Sequence, residues 1–249
     1  MPSSEEQSFL AETTEIREAH RFDVERLRDY LAGRLSGLSK DDRDFSVRQF
    51  RGGQSNPTFL LRSGERRWVL RKKPPGTLLP SAHQIEREYR IFEALSRTAV
   101  PVPRVDLLCE DPDVIGTPFF VMDHIDGRVF RVAVLPDMAK DGRRAIYDAM
   151  ADTLAALHRV DFTALGLDDF GKSGNYMARQ VSRWSKQYEA SKTDDIDAMA
   201  RLAPWLVEHL PASDETTIAH GDYRLENLIF HQTEPRVLAV LDWELSTLG

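Results

Sequence analysis

The pattern of the chain changes just after Ile125-Asp126-Gly127-Arg128, and that change limits the folds open to it. Before it, short β-prone runs such as TFLLR, RRWVLRK, VPVPRVDLLCE and TPFFVMDHI are bounded by turn sequences, GGQSNP and DPDVIG among them, which predicts antiparallel strands. A helix is expected from an Asp23 cap, with Val24, Leu27, Leu31 and Leu35 at helical spacing as far as Gly37. A second helix opens at Ser81 and carries Ile85, Tyr89, Phe92 and Leu95 on one face. KPPGTLLP (73–80) is a connector, because proline removes backbone donors and disfavours helix in the residue before it. After the change, residues 137–210 read as helices, and the tail returns to strand character in LIFH and RVLAVLDW. The reading is an α+β chain of two lobes: a flexible lead (1–22), a β-rich lobe with one inserted helix (23–125) and a helical lobe (126–249), with a cleft between them.

Charge restricts the partners. Lys and Arg number 33 against 40 Asp and Glu, a net charge of −7, so neither nucleic acid nor an anionic membrane surface is the expected partner. An anionic ligand would have to be met by a few local cations. A lone cysteine, Cys109, excludes a disulfide framework and is read as a buried small hydrophobe. No apolar run reaches the roughly 18 residues of a membrane span, and no secretory pattern opens the chain, so a cytoplasmic address is expected.

The chemistry concentrates in TIAHGDYRLENLIF and VLAVLDW. His220, Asp222, Asn227 and Asp242 lie at the edges of short apolar segments rather than on a solvated helix face. Two carboxylates and an amide oxygen are the hard donors Mg²⁺ prefers, with one carboxylate left over to take a proton.

The ordered set HGDYRLEN followed by LDW resembles the aminoglycoside phosphotransferase and choline kinase-like family, whose motif is H-G-D-x-x-x-x-N with a later D-x-[DE]. The resemblance implies a protein-kinase-like two-lobe fold that binds Mg²⁺ and ATP and phosphorylates a small-molecule hydroxyl. It assigns Asp222 as catalytic base, His220 as organiser of the loop, and Asn227 and Asp242 as metal ligands, and leaves the role of Glu244 open. On the same template Gly53, Gln54, Ser55 and Asn56 form the phosphate-covering loop. The cation for the phosphates falls on Arg71 or Lys72; strand alternation lets only one face the cleft, and Arg71 is preferred because Val69 then lines the same face. Glu88, with Glu86 as second choice, would orient that cation. The backbone of Met122, Asp123 and His124 would hold adenine, and Gly127 would let the chain turn between lobes.

Within this family the sequence is similar to the branch whose kinase domain is fused to acyl-CoA dehydrogenases, which implies a hydroxylated acyl-CoA or a similar metabolite as acceptor. Relatives continue beyond the position of Gly249, so a truncated helical lobe with exposed apolar surface near Trp243 is expected. Two other readings are carried forward: a nucleotide-binding module without turnover, and a hydrolase using His220 and Asp222 as metal ligands. His158 is read as a capping or core residue, and Trp184, Tyr188 and Trp205 as core.

Overall fold

The structure, a computed structural model, describes residues 12–52, 56–76, 84–212 and 215–249. Its first lobe is built on a six-stranded sheet of β1 (Thr13–Thr14), β2 (Ser46–Phe50), β3 (Thr58–Ser63), β4 (Arg66–Lys72), β5 (Val105–Cys109) and β6 (Phe119–Asp123), in the order β1-β2-β3-β4-β6-β5 with every neighbour antiparallel. Side chains alternate across it. Leu70, Phe119 and Val121 face one layer together with Leu27 and Leu31 of α1 (Val24–Leu31). Val69, Phe120 and Met122 face the other, against Ile91, Phe92 and Leu95 of α2 (Ile85–Leu95). That second layer continues without a break into the C-terminal lobe, through Leu157, Phe170, Leu228 and Trp243.

The C-terminal lobe holds α3 (Lys140–His158), α4 (Tyr176–Ser191), α5 (Asp197–Glu208) and two small antiparallel pairs. One pair joins β7 (Ile218–Ala219) to β10 (Thr247–Leu248); the other joins β8 (Leu228–Phe230) to β9 (Val237–Val240). Gly127 lies against β8 where the chain passes between lobes. A Cβ there would sit 2.5 Å from the Phe230 carbonyl oxygen, so only glycine admits the Arg128–Phe230 bridge that anchors the crossing.

Several details differ from the sequence reading. Residues 12–22 are not a loose lead: β1 adds to the sheet edge, the Arg17 N–H bonds Gln49 at 3.0 Å, and Phe22 packs edge-on against Phe59. Asp23 caps α1 as expected, accepting the Arg26 N–H at 3.0 Å, but the helix stops at Leu31, because Gly33 takes a left-handed φ of 78°. The α2 helix starts at Ile85; the expected opening at Ser81 and the second half of the 73–80 connector lie outside the described residues. Trp184 and Trp205 are exposed rather than core, and His158 is exposed at the C-terminal end of α3. Trp243, expected near exposed apolar surface, is fully buried, although Leu245 beside it is exposed. Among the described residues no helix is long and apolar enough to cross a membrane.

Candidate active site

The loop after β7 owes its shape to Gly221. Its φ of 88° is left-handed, and a Cβ would lie 2.5 Å from the Leu245 carbonyl oxygen, so both backbone conformation and space require glycine. Gly221→Ala is expected to cost about 1–3 kcal/mol through a strained left-handed residue, read as a lowered Tm with the loop displaced from Leu245.

His220 clamps this loop to the strand that precedes Asp242. Its Nε2 lies 2.9 Å from the Leu241 carbonyl oxygen and its Nδ1 lies 3.2 Å from the Asp222 backbone N–H. A carbonyl can only accept and an amide N–H can only donate, so the ring is neutral with its proton on Nε2. Burial pushes its pKa down, in keeping with that form. Trp243 lies against the ring at 4.5 Å between centroids. With both nitrogens committed, His220 is an organiser and has no lone pair left for a metal.

Asp222 is held from its own loop. The Asn227 side-chain amide donates to the Asp222 carbonyl at 2.9 Å and to its Oδ2 at 3.0 Å. Both partners are acceptors, which fixes the amide nitrogen there and leaves the amide oxygen, Oδ1, as the atom of this side chain able to ligate a cation. Asn227 is buried in a single 3-10 turn, Leu225–Asn227, that leads directly into β8. Arg224, inside the HGDYRLEN motif but not singled out from sequence, reaches Asp222 Oδ2 with its Nε at 3.2 Å.

Asp242 follows β9 in a left-handed conformation (φ 64°, ψ 61°), which non-glycine residues seldom adopt and which turns its carboxylate out of the strand line. Arg71 meets it from the opposite lobe. The Arg71 Nη2 lies 3.1 Å from Asp242 Oδ1, and its Nε lies 3.1 Å from Glu88 Oε2, the latter an ion pair not aligned as a hydrogen bond. Glu88 Oε1 also accepts the Trp243 N–H at 3.3 Å. Burial is the dominant influence on Glu88; Arg71 and that N–H oppose it, while Asp242 and Glu244 add to it, and its pKa is raised to about 7. Burial works against the charge of Arg71 too, but Glu88 and Asp242 outweigh it and hold its pKa above the ordinary value.

The remaining sequence candidates sort by geometry. Glu86 pairs with Lys73 at 2.5 Å and not with Arg71. Lys72 is corrected: alternation along β4 turns it to the opposite face, where its ammonium lies 5.2 Å from the Phe22 ring, away from Glu88 and Asp242. Asp123 is corrected in part, since its N–H is taken by the Arg104 carbonyl at 2.8 Å and its carboxylate by Arg104 at 3.3 Å. Met122 is buried beneath the same strand end, and His124 is turned toward Asp126, 3.6 Å away, with burial lowering its pKa. Gly53, Gln54 and Ser55 lie outside the described residues. Asn56 is buried and donates to Glu244 Oε2 at 3.1 Å.

The α2 helix that presents Glu88 is tied down on the same side by two arginines. Arg87 donates to the carbonyls of Phe170 and Ser246 and stacks over the Phe170 ring, and Arg90 reaches the Gly166 carbonyl and Asp169. Neither tether was legible in sequence, because their acceptors are mostly backbone oxygens of distant loops.

Residues 46–249 match the family described as "Phosphotransferase enzyme family". The chain belongs to this family. A crystal structure from Ralstonia eutropha assigned to the aminoglycoside phosphotransferases is 50% identical, covers 92% of this chain and 67% of its own, and superposes with a TM-score of 0.81. A streptomycin–ATP–APH(2'')-IIa ternary complex, 17% identical and covering 92% of this chain and 72% of its own, shares the fold with a TM-score of 0.61. Among curated proteins, acyl-CoA dehydrogenase family member 11 of Rattus norvegicus is 48% identical over 246 residues. That alignment takes in 98% of this chain, which spans about a third (32%) of the length of that relative. The phosphotransferase has the protein-kinase-like two-lobe fold of these neighbours.

Proposed function

We propose that this phosphotransferase moves the γ-phosphate of ATP to a hydroxyl of a small molecule, with Mg²⁺ as cofactor. The observation that carries the reading is the pairing of the strand-end carboxylate of Asp242 across the lobe boundary with Arg71, itself paired with buried Glu88, beside a loop in which Asn227 grips Asp222 and accepts the Leu241 N–H, one residue before Asp242. The donor chemistry fits the cofactor: Asn227 Oδ1 and the Asp242 carboxylate would hold Mg²⁺, which usually takes one or two protein carboxylates and completes its shell with phosphates and water. When bound, the cation neutralises charge on the β- and γ-phosphates.

The residues of the chain supply the rest. Arg71 offers a planar fork to phosphate oxygens, and Glu88 fixes its orientation. The acceptor oxygen forms the new P–O bond as the bond from the γ-phosphorus to the β-bridging oxygen breaks, and Asp222 takes the hydroxyl proton. His220 fixes the backbone on both sides of that step by bonding Asp222 N–H and the Leu241 carbonyl. Because both of its nitrogens are used, the hydrolase reading that makes His220 a metal ligand is set aside. For the acceptor we take a hydroxylated acyl-CoA or a similar metabolite, supported by the kinship with acyl-CoA dehydrogenase family members, of which this chain matches one part.

The test is ATP consumption with Mg²⁺ across hydroxylated acyl-CoAs, sugars, amino alcohols and aminoglycosides. Turnover with the first class alone supports both levels of the reading; turnover with another class overturns the acceptor, and ATP binding without turnover on any of them leaves a nucleotide-binding module. Asp242→Ala is expected to weaken Mg²⁺-dependent ATP binding by at least about tenfold, the scale of losing even an outer-shell partner of a metal site. Binding that is unchanged by that substitution, or that needs no magnesium, rejects the metal assignment.

A further inference from the structure

We infer that Asn56, just before β3, latches Glu244 and thereby holds the orientation of Asp242, making Glu244 a positioning residue of the phosphotransferase. The inference rests on the ATP reading above and names a device within the same site.

The two residues are 188 positions apart, yet the Asn56 amide meets Glu244 Oε2 at 3.1 Å. Asn56 is almost wholly buried, so its amide needs a partner, and losing one leaves a desolvated polar group. Its carbonyl is also engaged, accepting the Thr58 hydroxyl at 3.0 Å at the first residue of β3. Asn56 is therefore fixed to the sheet through its backbone and to the other lobe through its side chain. Glu244 lies in the single turn Trp243–Leu245 that immediately follows Asp242. The same turn is pinned by α2 and by its own neighbours: Trp243 N–H goes to Glu88, Trp243 Nε1–H goes to the Val240 carbonyl at 3.0 Å, and the Ser246 hydroxyl bonds the Trp243 carbonyl at 2.5 Å. A turn held this firmly transmits a displacement of Glu244 to Asp242, two residues away, whose left-handed backbone has little freedom to absorb it. Loss of the Asn56 bond would thereby free the Asp242 carboxylate to rotate, and Glu244 acts through Asn56 and Asp242 rather than on phosphate or metal.

A different role for the same carboxylate makes a different prediction. If Glu244 served by its charge, as a cation ligand does, its amide isostere would fail. If it serves as a hydrogen-bond acceptor for Asn56, the isostere suffices.

The experiment measures Kd for ATP with and without Mg²⁺, and kcat and KM, in Asn56→Ala, Glu244→Ala, their double variant and Glu244→Gln, with thermal melts to establish that each is folded. The latch predicts that both alanine variants raise KM for ATP several-fold with a smaller fall in kcat, that the double variant is no worse than the poorer single one, and that Glu244→Gln restores most of the affinity. Additive losses, or Glu244→Gln falling as far as Glu244→Ala, overturn it. Unchanged affinity in folded alanine variants of a chain that does bind ATP rejects the latch alone; a wild-type chain that binds no ATP rejects the function and the latch together.

Discussion

Asp222→Asn is expected to lower phosphoryl transfer by about 10²–10⁴-fold, the range a positioned general base contributes, while leaving ATP binding in place. The substitution is nearly isosteric. The backbone of residue 222 keeps its bonds to His220 and Asn227, so the loop is not expected to unfold. What changes is the side chain: an amide cannot take the acceptor proton, and its NH₂ group would face the Asn227 amide wherever it replaced Oδ2, a donor against a donor. Single-turnover measurement separates the two effects. A fall in the chemical step with little change in ATP affinity supports Asp222 as the base; retained turnover removes the assignment, and a collapse in Tm shows that the pair with Asn227 is structural instead.

The second large effect belongs to Arg71→Met. Its side chain is only 11% exposed and that of Glu88 is fully buried, so removing the guanidinium strands a buried carboxylate rather than a solvated one. Breaking a buried pair from one side costs about 3–5 kcal/mol, which for a chain of this size is a fall in Tm of roughly 10 °C. The loss carries a pH signature. The carboxyl of Glu88 already titrates at about 7, above its ordinary 4.5, so its charged form costs folding stability as pH rises through that window. Without the opposing charge of Arg71 its pKa rises further, and the variant folds with Glu88 protonated. The difference in Tm between wild type and variant should therefore be larger at pH 8 than at pH 5.5. A difference that is flat, or larger in acid, rejects the pairing as the cause. Arg71→Lys keeps charge but not the fork, and is expected to hold Glu88 or Asp242 but not both.

The parts of the fold legible in sequence were those whose signal is local. Strands β3 to β6 follow from short β-prone runs bounded by turns, helices α1 and α2 follow from helical spacing, and the split of β4 into an Arg71 face and a Lys72 face follows from its period of two. The loop motif was legible because its bonds close over short distances: Asn227 reaches Asp222 five residues away, and His220 reaches the N–H two residues on. Partners far apart in the chain were not. Arg87 meets backbone oxygens at positions 170 and 246, Asn56 meets Glu244, and nothing in either neighbourhood announces the other end. The edge strand β1 was missed for a related reason: Thr13 and Thr14 lie in a polar lead, and only the ladder with Phe50 and Gln49 makes them a strand.

The anchoring of α2 bears on how such an enzyme would be inhibited. To displace this helix, a ligand must break the Arg87 bonds to two carbonyls, the Arg90 contacts, and the Glu88 link to both Arg71 and the Trp243 N–H at once. Each hydrogen bond to a charged group is worth about 1.5–3 kcal/mol, so an inhibitor that works by prying the helix outward forfeits most of its own affinity. A drug-discovery campaign against this fold has better prospects with compounds that compete for the cleft in its existing shape.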